Sequence, residues 1–271
     1  MERLSPLAEK IGVTFEEGEI VFRQGEAGDT MFLIHEGAVA VIREKEGTGM
    51  VVARLNPGDF FGEMALVDRR PRSATVRAIG KTRLVPVSRD FLLKHSSKDS
   101  RFALTIMESL GNRLEKVDEI LRWRFADSGA PPGPAEDQGS EEPRSAVFLK
   151  SFSHLTASST ALRPAKGDVI FRQGEPGDEM FIILDGLVEI FQEAGEHEIV
   201  QARFGRGNFF GEMALLSGRP RSATARALSG AVLLPVTREA LLERVKVHPD
   251  VAFYIVRVLI VRLRKALLNL R

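Results

Sequence analysis

The sequence predicts a mainly β protein with flanking helices, built as two tandem, jelly-roll-like β-rolls that are each followed by C-terminal helices. Three observations point there. The chain repeats itself at a spacing far longer than a solenoid unit. Its apolar residues fall in short runs rich in β-branched and aromatic side chains, punctuated by glycine turns. Each such region then gives way to a segment of helical periodicity.

The repeat carries the most weight. "FFGEMALVDRRPRSAT", Phe60 to Thr75, returns as "FFGEMALLSGRPRSAT", Phe209 to Thr224, an offset of 149 residues (209 − 60). "VFRQGEAGDTMFLIHEGAVAV" from Val21 and "IFRQGEPGDEMFIILDGLVEI" from Ile170 keep that offset, and no gap intervenes from Gly18 against Gly167 to Val87 against Val236. A unit of this length is a whole domain. The expected organisation is a first domain over 1–125 and a second over 146–271. The intervening "ADSGAPPGPAEDQGSEEPRS", Ala126 to Ser145, is rich in Pro, Gly, Ser and acidic residues, and its composition is that of a flexible linker.

Within each copy the elements follow in order. "EIVFRQGEAGDTMFLIHEGAVAVIRE" reads as short antiparallel strands separated by the Gly-Glu-x-Gly-Asp turn and by Glu36-Gly37, the pattern of a roll or barrel and not of alternating β and α units. From Arg101 to Arg124 the texture changes: Met107, Leu110, Leu114, Val117 and Leu121 recur at steps of three and four, an amphipathic helix with a heptad-like seam. The closing "HPDVAFYIVRVLIVRLRKALLNLR" is also helical, apolar around more of its circumference, with Val256, Leu259, Leu263, Ala266 and Leu270 at the same steps. Such seams suit pairing with another helix. A homodimer held mainly by one or both of these helices is expected, with contact between the two domains of a single chain as the competing reading.

Composition excludes several classes. With 271 residues, 44% apolar and 28% charged, the chain is long enough for two cores and too apolar for a disordered protein. No apolar run approaches the about 20 residues of a membrane span, and "MERLSPLAEK" lacks the apolar stretch of a secretion signal. A cytoplasmic protein without a membrane partner is expected. The absence of cysteine rules out disulfides, thiolate nucleophiles and iron–sulfur clusters, while 38 basic against 37 acidic residues create no global field toward nucleic acid. His35, His95, His154, His197 and His248 lack metal-site spacing and are expected at the surface or in turns. No Walker loop, nucleophile elbow or paired-carboxylate motif appears, so neither catalysis nor a cofactor is expected.

"FGEMAL", a short variable insert and "RPRSAT" resemble the phosphate-binding cassette of cyclic nucleotide-binding domains, as found in kinase regulatory subunits, cyclic nucleotide-gated channels and the bacterial catabolite activator protein. The resemblance runs through both repeats, including the upstream "RQGExGD" turn and the trailing helices. It implies a cyclic nucleotide as ligand and, as ligand-binding residues, Phe61, Gly62, Glu63, Met64, Ala65, Arg72, Ser73 and Ala74 in the first cassette. The corresponding set in the second is Phe210, Gly211, Glu212, Met213, Ala214, Arg221, Ser222 and Ala223.

The chemistry suits those residue types. A cyclic phosphate is a compact anion, and "GEMAL" offers the unpaired N–H groups of a helix start, with Gly62 and Gly211 allowing close backbone approach. Arg72 and Arg221 bring a planar, permanently charged fork to two oxygens. Ser73 and Ser222 add a hydroxyl donor, and Ala74 and Ala223 a backbone N–H. Glu63 and Glu212 would be wasted on a phosphate, and suit the ribose 2′-hydroxyl. The competing structural reading is that each Glu and Arg form a buried ion pair that braces the roll. Arg-Ser-Ala, shared with the catabolite activator, favours cyclic AMP, with cyclic GMP the alternative. The "RRPR" run, Arg69 to Arg72, lies within the cassette and is too short to signal nucleic acid. Trp123 and Tyr254 either stack on the purine or pack in the helices, and packing is the expected role.

A transcription factor of the activator type carries a helix-turn-helix after its last helix, and a kinase regulatory subunit carries a docking segment and an inhibitor sequence before its first roll. Neither is visible here. The expectation is therefore a tandem sensor that signals to a separate protein, of unknown identity, through rearrangement of the helix after each cassette. A regulatory subunit of a kinase or other enzyme, and a ligand-blind scaffold, are the competing classes.

Overall fold

The computed structural model describes residues 9, 11–45, 48–64, 71–128, 146–152, 161–194 and 197–269, with side chains left out for 122–128, 146–147, 194 and 268–269. The expected linker lies outside these residues apart from its first three, which end a helix. Two compact units emerge, residues 1–94 and 95–271.

The first unit is a single antiparallel sheet. Its strands are β1 (Val13–Phe15), β2 (Ile20–Phe22), β3 (Met31–Lys45), β4 (Thr48–Leu55), β5 (Phe60–Phe61) and β6 (Thr75–Val87). They are ordered β1-β6-β3-β4, with β2 on β6 and β5 on β3. Sequence patterning breaks the chain at Glu36-Gly37, yet β3 runs through it as one 15-residue strand. Gly37 takes a left-handed φ of 79°, and the pairing with β6 slips between Ile34 and Ala38. The glycine thus makes a bulge that bends the strand instead of a turn that ends it.

The second unit begins within α1 (Arg89–Lys98) and continues with α2 (Ser100–Ser128) and α3 (Ala146–Ser151). Its roll has two antiparallel sheets. One is ordered β10-β9-β12-β7, from β7 (Val169–Phe171), β9 (Leu187–Ala194), β10 (His197–Gly205) and β12 (Thr224–Ala227). The other is β11-β8-β13, from β8 (Glu179–Asp185), β11 (Phe209–Phe210) and β13 (Val232–Thr237). Here the equivalent glycine, Gly186, does separate two strands, β8 and β9. Between β11 and β12 lies α4 (Glu212–Ser217), and the chain closes with α5 (Arg238–Val247) and α6 (Asp250–Asn269).

The two cores are the same core written twice. Phe22, Ile34, Val39, Phe61, Val76 and Leu84 are buried together in the first roll. In the second, Ile183, Val188, Phe210, Ala225 and Leu233 stand 149 residues later and are likewise buried together, with Phe171 packed against them.

Both helical seams are covered within the one chain. On α2, Met107, Leu110, Leu114, Val117 and Leu121 are buried; on α6, so are Val256, Leu259, Leu263 and Ala266, whereas Leu270 lies outside the described residues. The two helices pack on each other, and α2 also meets α4 and α5. The helix that follows the first roll in sequence is therefore seated in the second unit. Arg238 fixes it there, pairing Nη1 with Glu108 Oε1 at 2.7 Å while Nη2 donates to the carbonyls of Leu215 and Leu216 at the end of α4. Arg219 adds a pair to Glu115 at 3.2 Å. This is intramolecular pairing; dimerisation is not shown.

Two histidines depart from expectation. His35 sits in β3 with its side chain only 10% exposed, and His95 is half-buried in α1, where both elements turn one face inward. His197 and His248 are exposed, and His154 lies outside the described residues. Among the described residues no helix is long and apolar enough to cross a membrane.

Candidate functional site

Phe210, Gly211, Glu212, Met213, Ala214, Arg221, Ser222 and Ala223, the whole second set read from the sequence, line one recess. With its open mouth, solvent included, the recess encloses about 900 Å³. β11 delivers the chain to Gly211, which takes a φ of 77°, and α4 starts on the next residue. A left-handed turn at that point requires glycine, and a Cβ there would also meet Arg221 Nη1 at 2.7 Å.

Arg221 is built in from every side. It is 6% exposed, its Nη1 donates to the carbonyls of Gly211 (2.8 Å) and Glu179 (2.7 Å), and its guanidinium lies 4.2 Å over the ring of Phe171. Its backbone is clamped to the "RQGExGD" turn, Arg221 N donating to Glu175 O and Gly174 N to Arg221 O. The repeated glycine of that turn is explained by the arginine: a Cβ on Gly177 would overlap the guanidinium, as would one on Gly28 with Arg72. Burial pulls the Arg221 guanidinium below its ordinary pKa, and Glu179, Glu212, Asp178 and Glu175 pull the other way. Burial likewise raises the Glu179 carboxyl, against the pull of Arg221.

No carboxylate bonds to Arg221 among the described residues, and its buried Nε lacks a hydrogen-bond partner. Glu212, 4% exposed, is paired instead with Arg262 of α6, Nη1 to Oε1 at 2.8 Å. Arg262 Nη2 also donates to Phe209 O, and its guanidinium lies 4.5 Å over Phe204. The bracing ion pair that would have explained these residues structurally is thus not the one the fold makes. A buried guanidinium that no carboxylate hydrogen-bonds keeps donor capacity for an anion. Glu212 meanwhile keeps lone pairs for a hydroxyl beyond the one Arg262 takes.

The first cassette repeats the setting of the arginine in the first unit. Arg72, 7% exposed, donates Nη1 to Gly62 O at 3.0 Å and lies 4.1 Å over Phe22, and its Nε is again buried without a partner. Burial lowers its pKa against Asp29, Glu26 and Glu63. Phe61, Glu63 and Ala74 are buried, Gly62 and Met64 half-buried and Ser73 exposed; Ala65 lies outside the described residues.

Other repeated residues serve as scaffold. Thr75 Oγ1 accepts from Gln24 N and donates to Glu44, and Gln24 Oε1 accepts from Glu44 N. Thr224, Gln173 and Glu193 make the same bonds in the second roll. The final Thr of "RSAT" and the Gln of "RQG" therefore lock the cassette to its turn. Tyr254 packs as expected, its ring 4.3 Å from Phe148 and its hydroxyl donating to Gly207 O. Nothing is described of the Trp123 side chain.

Sequence reasoning missed most of the walls. Phe171, Ile190, Gln192, Gln201 and Phe204 line the recess from the roll, while Arg262, Lys265 and Ala266 come from α6, and Leu114, Asp118 and Leu121 from α2. One signal lay in the repeat, since Arg262 follows Arg113 by the same 149 residues (262 − 113).

The fold is a duplicated β-roll, and each copy buries an arginine against a glycine turn. The cyclic nucleotide-binding domain model matches residues 12–99 and 162–248. The chain belongs to that family. It is similar to the cAMP-dependent protein kinase regulatory subunit of Blastocladiella emersonii, 32% identical over 217 residues that cover 78% of this chain and 46% of that protein. The subunit of the same name from Dictyostelium discoideum is 28% identical over 241 residues, 84% of this chain and 63% of that one. The chain thus spans less than two thirds of either relative. Among solved structures, the catabolite activator protein of Thermus thermophilus is 33% identical over 45% of this chain and 57% of that chain, with a TM-score of 0.41.

Proposed function

We propose that the chain is a non-catalytic, cytoplasmic tandem sensor. It takes cyclic AMP in two phosphate-binding cassettes, one per domain (1–125 and 146–271, joined by 126–145), and signals to a partner protein through the helices that follow them. The observation that carries this reading is Arg221, a buried guanidinium aimed into a recess with its Nε unpartnered. A cyclic phosphate supplies the missing anion, and Ser222 and the N–H of Ala223 add donors to it. Glu212 takes the ribose 2′-hydroxyl beside Arg262. Because α2 and α6 both line the recess, an occupant touches the helix pair directly and biases its arrangement.

Cyclic AMP is favoured over cyclic GMP by the two relatives named as cAMP-dependent kinase regulatory subunits. They equally support a second reading, in which the partner is a kinase catalytic subunit. Calorimetry tests the first: two equivalents of cyclic AMP should bind, Arg72→Ala and Arg221→Ala should each remove one, and the double variant none. Losing one side of a desolvated charge pair costs about 2–5 kcal/mol, so each site should weaken at least about tenfold. Two-site binding that survives in the double variant refutes the cassette assignment.

A further inference from the structure

The two rolls carry the same pair of arginines on the face turned away from the core, but only one roll neutralises them. In the second roll Arg203 of β10 and Arg226 of β12 are the cross-strand neighbours of Glu189 on β9, whose flanking residues Val188 and Ile190 pack in the core. Glu189 accepts from Arg203 Nε at 3.0 Å and from Arg226 Nη2 at 2.8 Å, and Glu198 meets Arg226 Nη2 at 2.9 Å. Each cation is matched. At the offset of 149 residues the first roll has Arg54 of β4 and Arg77 of β6, both cross-strand neighbours of Ala40 on β3. Ala40 stands where Glu189 does (189 − 149) and Gly49 where Glu198 does (198 − 149), so the arginines are kept and both carboxylates are gone. Arg54 and Arg77 are exposed, and neither guanidinium has a partner among the described residues.

Strand spacing sets the Cα atoms of Arg54 and Arg77 about 10 Å apart across Ala40, with all three side chains on one face. The gap that the second roll closes with a carboxylate is open in the first. Two unneutralised cations in register repel each other, and the planar guanidinium fork is matched by a carboxylate. Beside them Val51 and Val52, 57% and 45% exposed, lie on β4, an edge strand of the sheet. Exposed apolar surface rimmed by charge suits a protein segment better than a free anion or a nucleic acid backbone. We propose that Arg54 and Arg77 form a docking fork for an acidic segment of a partner protein, which lodges an Asp or Glu carboxylate over Ala40 as Glu189 lies in the second roll. The inference goes beyond the nucleotide reading and does not depend on it.

The test uses full-length protein carrying Arg72→Ala and Arg221→Ala, so that neither cassette arginine can take the probe. Fluorescence anisotropy at low ionic strength follows labelled hexaglutamate, with hexaglutamine and oligothymidylate alongside. Hexaglutamate should bind more tightly than either. Ala40→Glu supplies the missing carboxylate from within, as the second roll does, and should weaken hexaglutamate binding by more than about threefold, whereas the uncharged Ala40→Gln should hold it within about threefold. Arg54→Ala/Arg77→Ala should weaken it as much, and carries the test alone if the Ala40 variants do not fold. Hexaglutamate bound no better than hexaglutamine, or affinity that stays within about threefold of the parent in Ala40→Glu or in the double arginine variant, overturns the proposal. An equal loss in Ala40→Gln would trace the effect to bulk and also overturns it. Oligothymidylate that binds more tightly than hexaglutamate, and is lost in the same variants, would make the fork a phosphate site and overturns the assignment to an acidic segment.

Discussion

Gly177→Ala should disable the second site while leaving its roll folded. Gly177 does not occupy the left-handed region, so alanine's backbone is acceptable there and only its Cβ matters. That Cβ would fall inside contact distance of three guanidinium atoms of Arg221, including Nε. The side chain has little room to yield, with Phe171 4.2 Å beneath it and Nη1 held by Gly211 O and Glu179 O. Swinging out forfeits two hydrogen bonds to a charged group, about 1.5–3 kcal/mol each, and a cation–π contact worth roughly 0.5–2. Most of this is regained as the cation returns to water, so the variant should be no more than about 1–2 kcal/mol less stable than wild type. Binding has no such refund. The arginine leaves the position from which it meets the phosphate, and second-site affinity should fall at least about tenfold, equivalent to about 1.4 kcal/mol. Calorimetry in an Arg72→Ala background measures this, with urea unfolding as the control. Second-site affinity within about threefold of the parent would mean that the glycine is not there for the arginine.

Two further outcomes follow from the charge network. Arg262→Ala strands the buried Glu212 carboxylate and should cost roughly 3–5 kcal/mol in denaturant unfolding, most of it recovered in Glu212→Gln/Arg262→Met; equal losses in the single and double variants would refute the pairing. Burial pushes the Glu189 carboxyl up, but hydrogen bonds from Arg226 and Arg203 outweigh it and leave the pKa below the usual 4.5. A depressed carboxylate stabilises above its unfolded pKa and loses that stabilisation as pH falls through the folded one. Glu189→Gln should therefore be less stable than wild type at pH 6 with the gap closing toward pH 3, and a gap constant over that range in urea midpoints would contradict this.

What the sequence reveals here depends on whether a residue's role is local. The roll was legible because β-branched runs and glycine turns encode strands at short range, and the cassette because its residues sit within sixteen positions of one another. Even so, repetition did not separate ligand groups from scaffold. Thr75 and Thr224 recur as faithfully as Arg72 and Arg221, yet the threonines face the backbone of Gln24 and Gln173. Nor did the glycine at Gly37 reveal whether it ends a strand or bends it, since a left-handed residue serves both and long-range pairing with β6 decides. The helical seams were visible, but a stripe of Leu and Val states only that a helix must be covered, never by what. A second copy and the chain's own last helix satisfy the pattern equally. What ties α2 to α5 and to the end of α4 is charge far off in sequence, Glu108 meeting Arg238 and Glu115 meeting Arg219. Asp118 escaped notice for the same reason: on a helical wheel it is an ordinary polar residue flanking the seam, and only the fold brings it to a recess whose cassette begins more than ninety residues later. A recess finished by the other repeat's helix is where local reading fails, because the residues that complete it carry no pattern tying them to the cassette in the sequence.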